Sequence, residues 1–310
     1  MRHKGLRIAF AVLATAAVWL AAREIVGQWH TFRASGAHLT PRWSWLALSS
    51  AIVLLAYAIL VETWRRMVRA WDAELPWMDA ARIWFISNLG RYLPGKVWQI
   101  GAMGVMAQEA GVSVVAATGS ALVINLVNLL AGFGLVLVTG AEFFEARGAA
   151  LVLAVLLVGG IVLAPRLVPL FGTIAGRILR RPIEVPRLPD RAVWLASVGC
   201  LAAWILYGVA FQVFVAAMLG SAPGRTSSYI AAFTGSYLAG YIALFAPGGI
   251  GVREGSLIFA LGRFGLALPG AAGVISVSSR LWLTVLEVLP GLAFLAVDAL
   301  RRRKRPPSPP

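Results

Sequence analysis

The chain has 310 residues, of which 59% are hydrophobic and only 13% are charged, and its mean hydropathy is +0.79. A soluble domain carries about 25% charged residues, so this composition excludes an ordinary soluble protein. The net charge of +15 does not indicate a nucleic-acid-binding face, because the basic residues alternate with apolar runs long enough to cross a membrane. One cysteine, Cys200, excludes an internal disulfide.

The apolar runs predict an all-α polytopic membrane protein, since each membrane crossing needs about 20 apolar residues. Two weaker runs, at 77–110 and 228–263, are broken by proline and glycine. We therefore expect about six full transmembrane helices and two broken or re-entrant helical hairpins, where simple hydropathy gives eight spans. The stretch 228–246 is also long enough to cross fully. The six strong runs lie at about 8–22, 43–61, 115–139, 149–171, 192–219 and 270–297.

Basic residues predict the orientation. If the two broken segments are re-entrant hairpins, the remaining six spans place both termini on the same face of the membrane. That face holds most of the Lys and Arg, including those in the segments 177–191 and 301–305. Because cytosolic loops carry an excess of Lys and Arg, we expect both termini in the cytosol, below a bacterial-type inner (plasma) membrane. Residues 1–300 then form one integral membrane domain, and 301–310 form a basic, proline-rich, disordered tail.

The two breaks place ionisable residues at membrane depth. The first runs from Asn88 to Lys96 and the second from Pro247 to Glu254. Such side chains and irregular backbone are tolerated in a membrane only where protein or a water-filled cavity surrounds them. Three predicted spans separate the breaks, so the hairpins enter from opposite faces, as in transporters built from inverted repeats. We interpret the breaks as two sides of one site.

The residue types at the breaks suit an anionic lipid headgroup. Arginine matches phosphate through its planar donor fork, and backbone N–H groups at helix N-termini add partial positive charge. Glu254, beside Arg253, and Glu287, on the helical face of Arg280, are expected to neutralise the arginines in the empty site or to bind a cationic aminoacyl or amino-sugar headgroup. The alternative is that they form static ion pairs between helices. The expected substrate-binding residues are Arg91, Pro94, Gly95, Lys96, Pro247, Gly248, Gly249, Gly251, Arg253, Glu254, Arg280 and Glu287.

Further polar residues are candidates for lining a cavity at this site. Asn125 and Asn128 lie three residues apart on one predicted span, where they would face the cavity or hydrogen-bond across helices. The full set is Asn88, Gln99, Glu109, Asn125 and Asn128. Tryptophans near predicted span ends, such as Trp43, Trp64 and Trp77, fit an interfacial belt.

Catalysis finds no support in the sequence. His3, His30 and His38 lie at the terminus and in a predicted outer loop, without the spacing of a metal site. No nucleophile elbow or phosphate-binding loop is present. We therefore expect no metal, no cofactor and no catalytic residue.

The motifs together resemble a known family. The segments Arg91–Lys96, Gln108–Gly111 and Pro247–Glu254, followed by Arg280 and Glu287, are similar to the transmembrane region of lysylphosphatidylglycerol synthases, a flippase-like inner-membrane family. The resemblance covers nearly the whole chain. In bifunctional members this region translocates lipid, while a separate cytosolic domain transfers an amino acid from aminoacyl-tRNA to phosphatidylglycerol. The sequence stops at Pro310, so aminoacyltransferase activity is not expected.

The resemblance implies a function and partners. It implies that the protein flips an anionic or lipid-linked substrate, such as a phospholipid or a polyprenyl-phosphate sugar, between leaflets. Related chains also occur beside glycosyltransferases. The alternative is therefore a membrane-embedded enzyme, or an accessory subunit of lipid or glycan modification without transport activity. The expected partners are membrane lipids and a separately encoded glycosyltransferase or lipid-modifying enzyme, with no nucleic acid.

Overall fold

The computed structural model describes residues 41–71, 74–92, 97–140, 189–243 and 251–303, with Gly249 and scattered positions in 19–26 and 148–163. Every regular element in these ranges is a helix, so the predicted all-α class is confirmed. The predicted spans at 8–22 and 149–171 lie largely outside the described residues. The last helix continues to Arg303, and the rest of the predicted tail also lies outside them.

The helices of the described ranges fall into two units of the same order. In each unit, a long helix is followed by two short helices and then by a second long helix. The first unit contains α1 (Trp43–Arg69), α2 (Trp77–Asn88), α3 (Val97–Glu109) and α4 (Val114–Thr139). The second contains α5 (Asp190–Leu219), α6 (Thr226–Ile242), α7 (Val252–Arg263) and α8 (Pro269–Arg303). A 3₁₀ turn, Leu89–Tyr92, follows α2.

The four long helices have the length and composition of membrane spans. The shortest, α4, has 26 residues and is about 39 Å long, which exceeds the roughly 30 Å of bilayer hydrocarbon. Large apolar side chains on these helices are exposed, including Leu55 at 53% and Leu122 at 56%, as a lipid-facing surface requires. Trp43 is exposed, as expected for the interfacial belt, whereas Trp64 is fully buried in the core.

The short helices confirm the two predicted breaks. Helices α2, α3 and α7 have 12 or 13 residues and are about 18–20 Å long, so none of them crosses the hydrocarbon alone. Helix α6 has 17 residues and is shorter than each of the four spans. Helix α2 packs against α3, and α6 packs against α7. Each broken segment therefore contains two short helices that pack against each other, and most of the stretch 228–246 forms the first helix of the second segment.

The first long helices of the two units run in opposite directions. The Arg42 N–H, just before α1, donates to the Ala217 carbonyl near the end of α5 at 3.0 Å. Further along α1, the Ser49 hydroxyl donates to the Ala210 carbonyl at 2.6 Å. Residue numbers rise along α1 as they fall along α5, so the helices are antiparallel. This is the relation that an inverted repeat requires.

A glycine contact closes the second hairpin. Gly249 has a φ of +72°, and a Cβ built on it would lie 2.6 Å from the carbonyl oxygen of Gly240 in α6. A side chain at this position would both strain the backbone and clash with α6. Glycine therefore lets the backbone at position 249, two residues before Gly251 at the N-terminus of α7, lie directly against α6.

Candidate functional site

A cavity of about 100 Å³ lies between the two units. It is lined by Tyr57 of α1, Asn128 of α4, Tyr207 of α5 and Glu287 of α8, each close to the midpoint of its helix. A membrane-spanning helix passes the bilayer centre near its midpoint, so the cavity lies at mid-depth. This volume accommodates several water molecules or a small polar group.

The two breaks meet at this cavity through Tyr237 of α6. Arg91 lies in the 3₁₀ turn of the first break, and its Nη1 donates to the Tyr237 hydroxyl at 3.4 Å. Arg253 lies in the first turn of α7, and its guanidinium stacks on the Tyr237 ring, 4.7 Å from the centroid. The ring of Phe233 lies 5.6 Å from the same guanidinium. The two breaks, which are more than a hundred residues apart in the sequence, thus each contribute an arginine that contacts Tyr237.

Arg91 and Glu287 form an ion pair beside the cavity. Arg91 Nη1 lies 2.7 Å from Glu287 Oε1, and the Tyr57 hydroxyl donates to the same oxygen at 3.2 Å. The two side chains are 30% and 13% exposed, respectively. A lone charge at this depth costs several kcal/mol, so each partner stabilises the charged form of the other. The pair links the first break to α8, and the hydrogen bond from Tyr57 links α1 to the same carboxylate.

Glu254 pairs with Arg280 rather than with its neighbour in the sequence, Arg253. Arg280 Nη1 donates to Glu254 Oε1. The other carboxylate oxygen accepts the Gly251 N–H at 2.6 Å, at the N-terminus of α7. Adjacent residues on a helix point in different directions, so Arg253 and Glu254 cannot face each other. Glu254 turns towards α8, and Arg253 turns towards α6.

Arg253 has no carboxylate partner within the described residues. Its recorded contacts are the two aromatic rings, which stabilise the cation through their faces but leave its N–H donors unused. The charged side chains described around the two breaks form one cluster, which we call the central cluster. It contains three guanidiniums and two carboxylates, so positive charges exceed negative ones by one: Arg91, Arg253, Arg280, Glu254 and Glu287. An excess positive charge at mid-depth favours the binding of an anion.

The cavity lining differs between the two units. The first unit contributes four amides, Asn88, Gln99, Asn125 and Asn128. The second unit contributes aromatic rings, and Trp204 packs edge-on against Tyr207 and Tyr237, with centroids at 6.0 and 5.4 Å. The complete aromatic set from the second unit is Trp204, Tyr207, Phe233, Tyr237 and Tyr241. We call these the amide set and the aromatic set.

Sequence reasoning missed the aromatic set. Trp204 and Tyr207 lie at the middle of α5, one of the most apolar runs of the chain. Interfacial tryptophan and tyrosine belong at the ends of spans, so an aromatic residue with a polar tip at mid-span is a signal for a buried partner or a cavity. That signal was present in the sequence.

The other predicted site residues lie in different places. Glu109 is exposed at the end of α3, ten residues beyond Gln99, or about 15 Å along the axis, and is not part of the cavity lining. Gly249 and Gly251 both have positive φ and form the end of the second break. No group of three or more metal-ligating side chains occurs in the described ranges. Five predicted residues lie outside the described residues: Pro94, Gly95, Lys96, Pro247 and Gly248.

Comparisons with known proteins bear on the whole chain. The family described as Lysylphosphatidylglycerol synthase TM region matches residues 6–291. The matched range contains both breaks, the cavity lining and both central glutamates. The comparison with curated proteins gave no match.

Proposed function

Because the chain belongs to the Lysylphosphatidylglycerol synthase TM region family of multi-pass membrane proteins, we propose that it moves an anionic lipid or lipid-linked substrate between membrane leaflets. A phospholipid and a polyprenyl-phosphate sugar are both substrates of this kind. The setting is a bacterial-type inner membrane with both termini in the cytosol. The observation that carries the proposal is Arg253, a cation that stacks on the cavity-lining ring of Tyr237 and has no carboxylate partner among the described residues.

The central cluster supplies what a crossing phosphate needs. A charged headgroup entering hydrocarbon loses its water, and this loss opposes transfer unless the protein replaces the hydrogen bonds. Arg253 offers a planar fork of donors to two phosphate oxygens. Tyr237 and the amide set line the cavity, and Arg253, which is not itself a lining residue, contacts the Tyr237 ring. A headgroup held there is shielded, while its acyl or prenyl chains remain in the bilayer.

The ion pairs provide a way to restore charge balance when the substrate arrives and leaves. Arg91, in the first break, shares its Nη1 between Glu287 of α8 and Tyr237 of the aromatic set, so it contacts both of them. A phosphate bound at Arg253 lies close to Arg91 and competes with Glu287 for it. Exchange between carboxylate and phosphate keeps the arginines paired throughout the crossing, which avoids the cost of a lone cation.

Leaflet-resolved movement of labelled lipids tests the proposal. The purified protein is placed in phosphatidylcholine vesicles containing a trace of fluorescent phosphatidylglycerol, and dithionite destroys the fluorophores of the outer leaflet. With the protein, we expect nearly all of the fluorescence to be lost, because inner-leaflet probe moves outward. Protein-free vesicles should retain about half. Fluorescent phosphatidylcholine serves as the control lipid without net charge.

Two results count against translocation of an anionic headgroup. Equal movement of phosphatidylcholine and phosphatidylglycerol indicates non-selective leakage between leaflets. Retention of the inner-leaflet signal for every anionic lipid, with lipid still bound to the purified protein, indicates an accessory or enzymatic role.

A further inference from the structure

The amide set offers hydrogen-bonding groups that the recognition of a phosphate does not require. Phosphate is an acceptor, and guanidinium and N–H donors alone satisfy it. A carboxamide offers both a carbonyl acceptor and two N–H donors. Four carboxamides in one lining therefore match a ligand group that both donates and accepts hydrogen bonds. A hydroxyl group has this character, whereas an ammonium only donates.

Several of these amides have unused hydrogen-bonding groups directed at the cavity. Asn125 donates Nδ2 to the Ala121 carbonyl at 2.9 Å, and its Oδ1 has no partner in the described part of the chain. Asn128 contributes its backbone carbonyl to Trp204, while its side chain makes no hydrogen bond to the described residues. Asn88 and Gln99 bond to each other, so they form a fixed pair beside them. Polar groups left open in this way at mid-depth require a polar ligand or water.

The aromatic set does not suit a cationic headgroup. The faces of Tyr237 and Phe233 already hold the guanidinium of Arg253, so cation–π binding of a ligand amine has to displace it. Glu287 accepts hydrogen bonds from Arg91 and Tyr57. The described charges of the cluster also sum to a positive value, which repels a second cation.

We propose that the cavity selects a lipid phosphate whose headgroup carries several hydroxyls, such as a glycerol, inositol or sugar headgroup, over one with a cationic aminoacyl group. The inference rests on the proposed function and names its substrate class. Arg253 binds the phosphate, and Asn125 and Asn128 exchange hydrogen bonds with the hydroxyls beyond it. The amides are specificity-determining residues, because a lipid without hydroxyls leaves them unpaired.

Four labelled lipids test the selection in proteoliposomes of the full chain. Phosphatidylmethanol carries the same single negative charge as phosphatidylglycerol and phosphatidylinositol but has no headgroup hydroxyl, and lysylphosphatidylglycerol carries the cationic group. We expect phosphatidylglycerol and phosphatidylinositol to move about tenfold faster than phosphatidylmethanol, and the lysyl lipid to move slowest. Faster movement of phosphatidylinositol than of phosphatidylglycerol indicates that the preferred substrate has a ring headgroup. The reverse order indicates a linear polyol headgroup.

Variants separate selection from general damage. Asn128→Leu should slow phosphatidylinositol about tenfold, to the rate of phosphatidylmethanol, and leave phosphatidylmethanol unchanged. Asn125→Leu is a second variant with the same expected pattern, should the first fail to fold. Gln108→Leu removes an exposed amide outside the cavity lining and should change no rate. Binding of the same four lipids to the detergent-solubilised protein, measured by native mass spectrometry, provides a readout independent of transport.

The outcomes distinguish this inference from the function on which it rests. Equal rates for all three anionic lipids, or fastest movement of the lysyl lipid, overturn the inference and leave translocation intact. Selective binding of phosphatidylinositol that Asn128→Leu abolishes, without movement of any lipid, supports the inference and overturns translocation. If no lipid moves and no lipid binds selectively, both the inference and the proposed translocation are overturned.

Discussion

Replacing Arg253 by methionine is expected to slow the movement of anionic lipids about a hundredfold, while the protein remains folded. Methionine keeps the length and apolar character of the side chain but removes the donors that bind phosphate. A hydrogen-bonded charge pair contributes about 3 kcal/mol, which corresponds to this factor. The fold should tolerate the change, because the guanidinium has no carboxylate partner among the described residues to leave unpaired. Dithionite reduction of labelled phosphatidylglycerol measures the rate.

The matched control is Arg263→Met, at the C-terminal end of the same helix, where the side chain is exposed. This variant should move lipid at the native rate. Arg253→Lys retains the charge but not the planar fork, so an intermediate rate is expected. If Arg253→Met moves phosphatidylglycerol as fast as the native protein, the cation at the second break does not bind the headgroup.

Breaking the Arg91–Glu287 pair from one side is expected to destabilise the protein by about 3 kcal/mol. Glu287→Leu leaves the Arg91 guanidinium without the carboxylate at 2.7 Å, at a depth where water cannot fully replace it. We expect the melting temperature in detergent to fall by roughly 6–12 °C. The double variant Arg91→Met/Glu287→Leu should recover most of this loss, because neither charge then remains, but it should not recover lipid movement.

The control is a pair near the C-terminal end of α8. Arg82 Nη1 lies 2.7 Å from Asp298 Oδ2, with side chains 22% and 19% exposed, near the end of the span rather than at its centre. Its position near the end of the span brings headgroups and water within reach of the lost contact, so Asp298→Leu should cost less stability than Glu287→Leu. A Glu287→Leu variant as stable as Asp298→Leu would show that the central pair is well solvated, contrary to its position in the structure.

The sequence predicted the breaks but not the partners within them. Proline and glycine inside apolar runs, and charges where none is expected, identified both hairpins because these are local departures from a membrane span. Which carboxylate reaches which arginine depends on how each helix is rotated and packed. Glu287 lies on α8, yet it joins Arg91, nearly two hundred residues earlier. Hydropathy contains no information about such long-range contacts.

The same distinction applies to the polar and aromatic residues: the local sequence pattern identifies candidates, but it does not show which of them packing buries. Asn125 and Asn128, which are three residues apart on an apolar span, were expected either to line a cavity or to hydrogen-bond across helices, and the structure places both in the cavity lining. Glu109 was grouped with them by its charge, but its position at the end of α3 places it in an exposed location. Trp64 was assigned to the interface by its place in the sequence, whereas packing against α4 buries it. Burial depends on neighbours that composition does not specify.

One measurement tests directly whether anionic headgroups occupy the cavity. Tyr241, which lines the cavity, and Leu122, which is exposed on the outer face of α4, are each replaced by the photoreactive amino acid p-benzoylphenylalanine. After illumination of native membranes, mass spectrometry identifies the lipids attached to each variant. The account predicts that Tyr241 captures anionic or phosphate-linked lipids well above their share at Leu122, and that Arg253→Met removes this enrichment. The same lipid composition at both positions would contradict it.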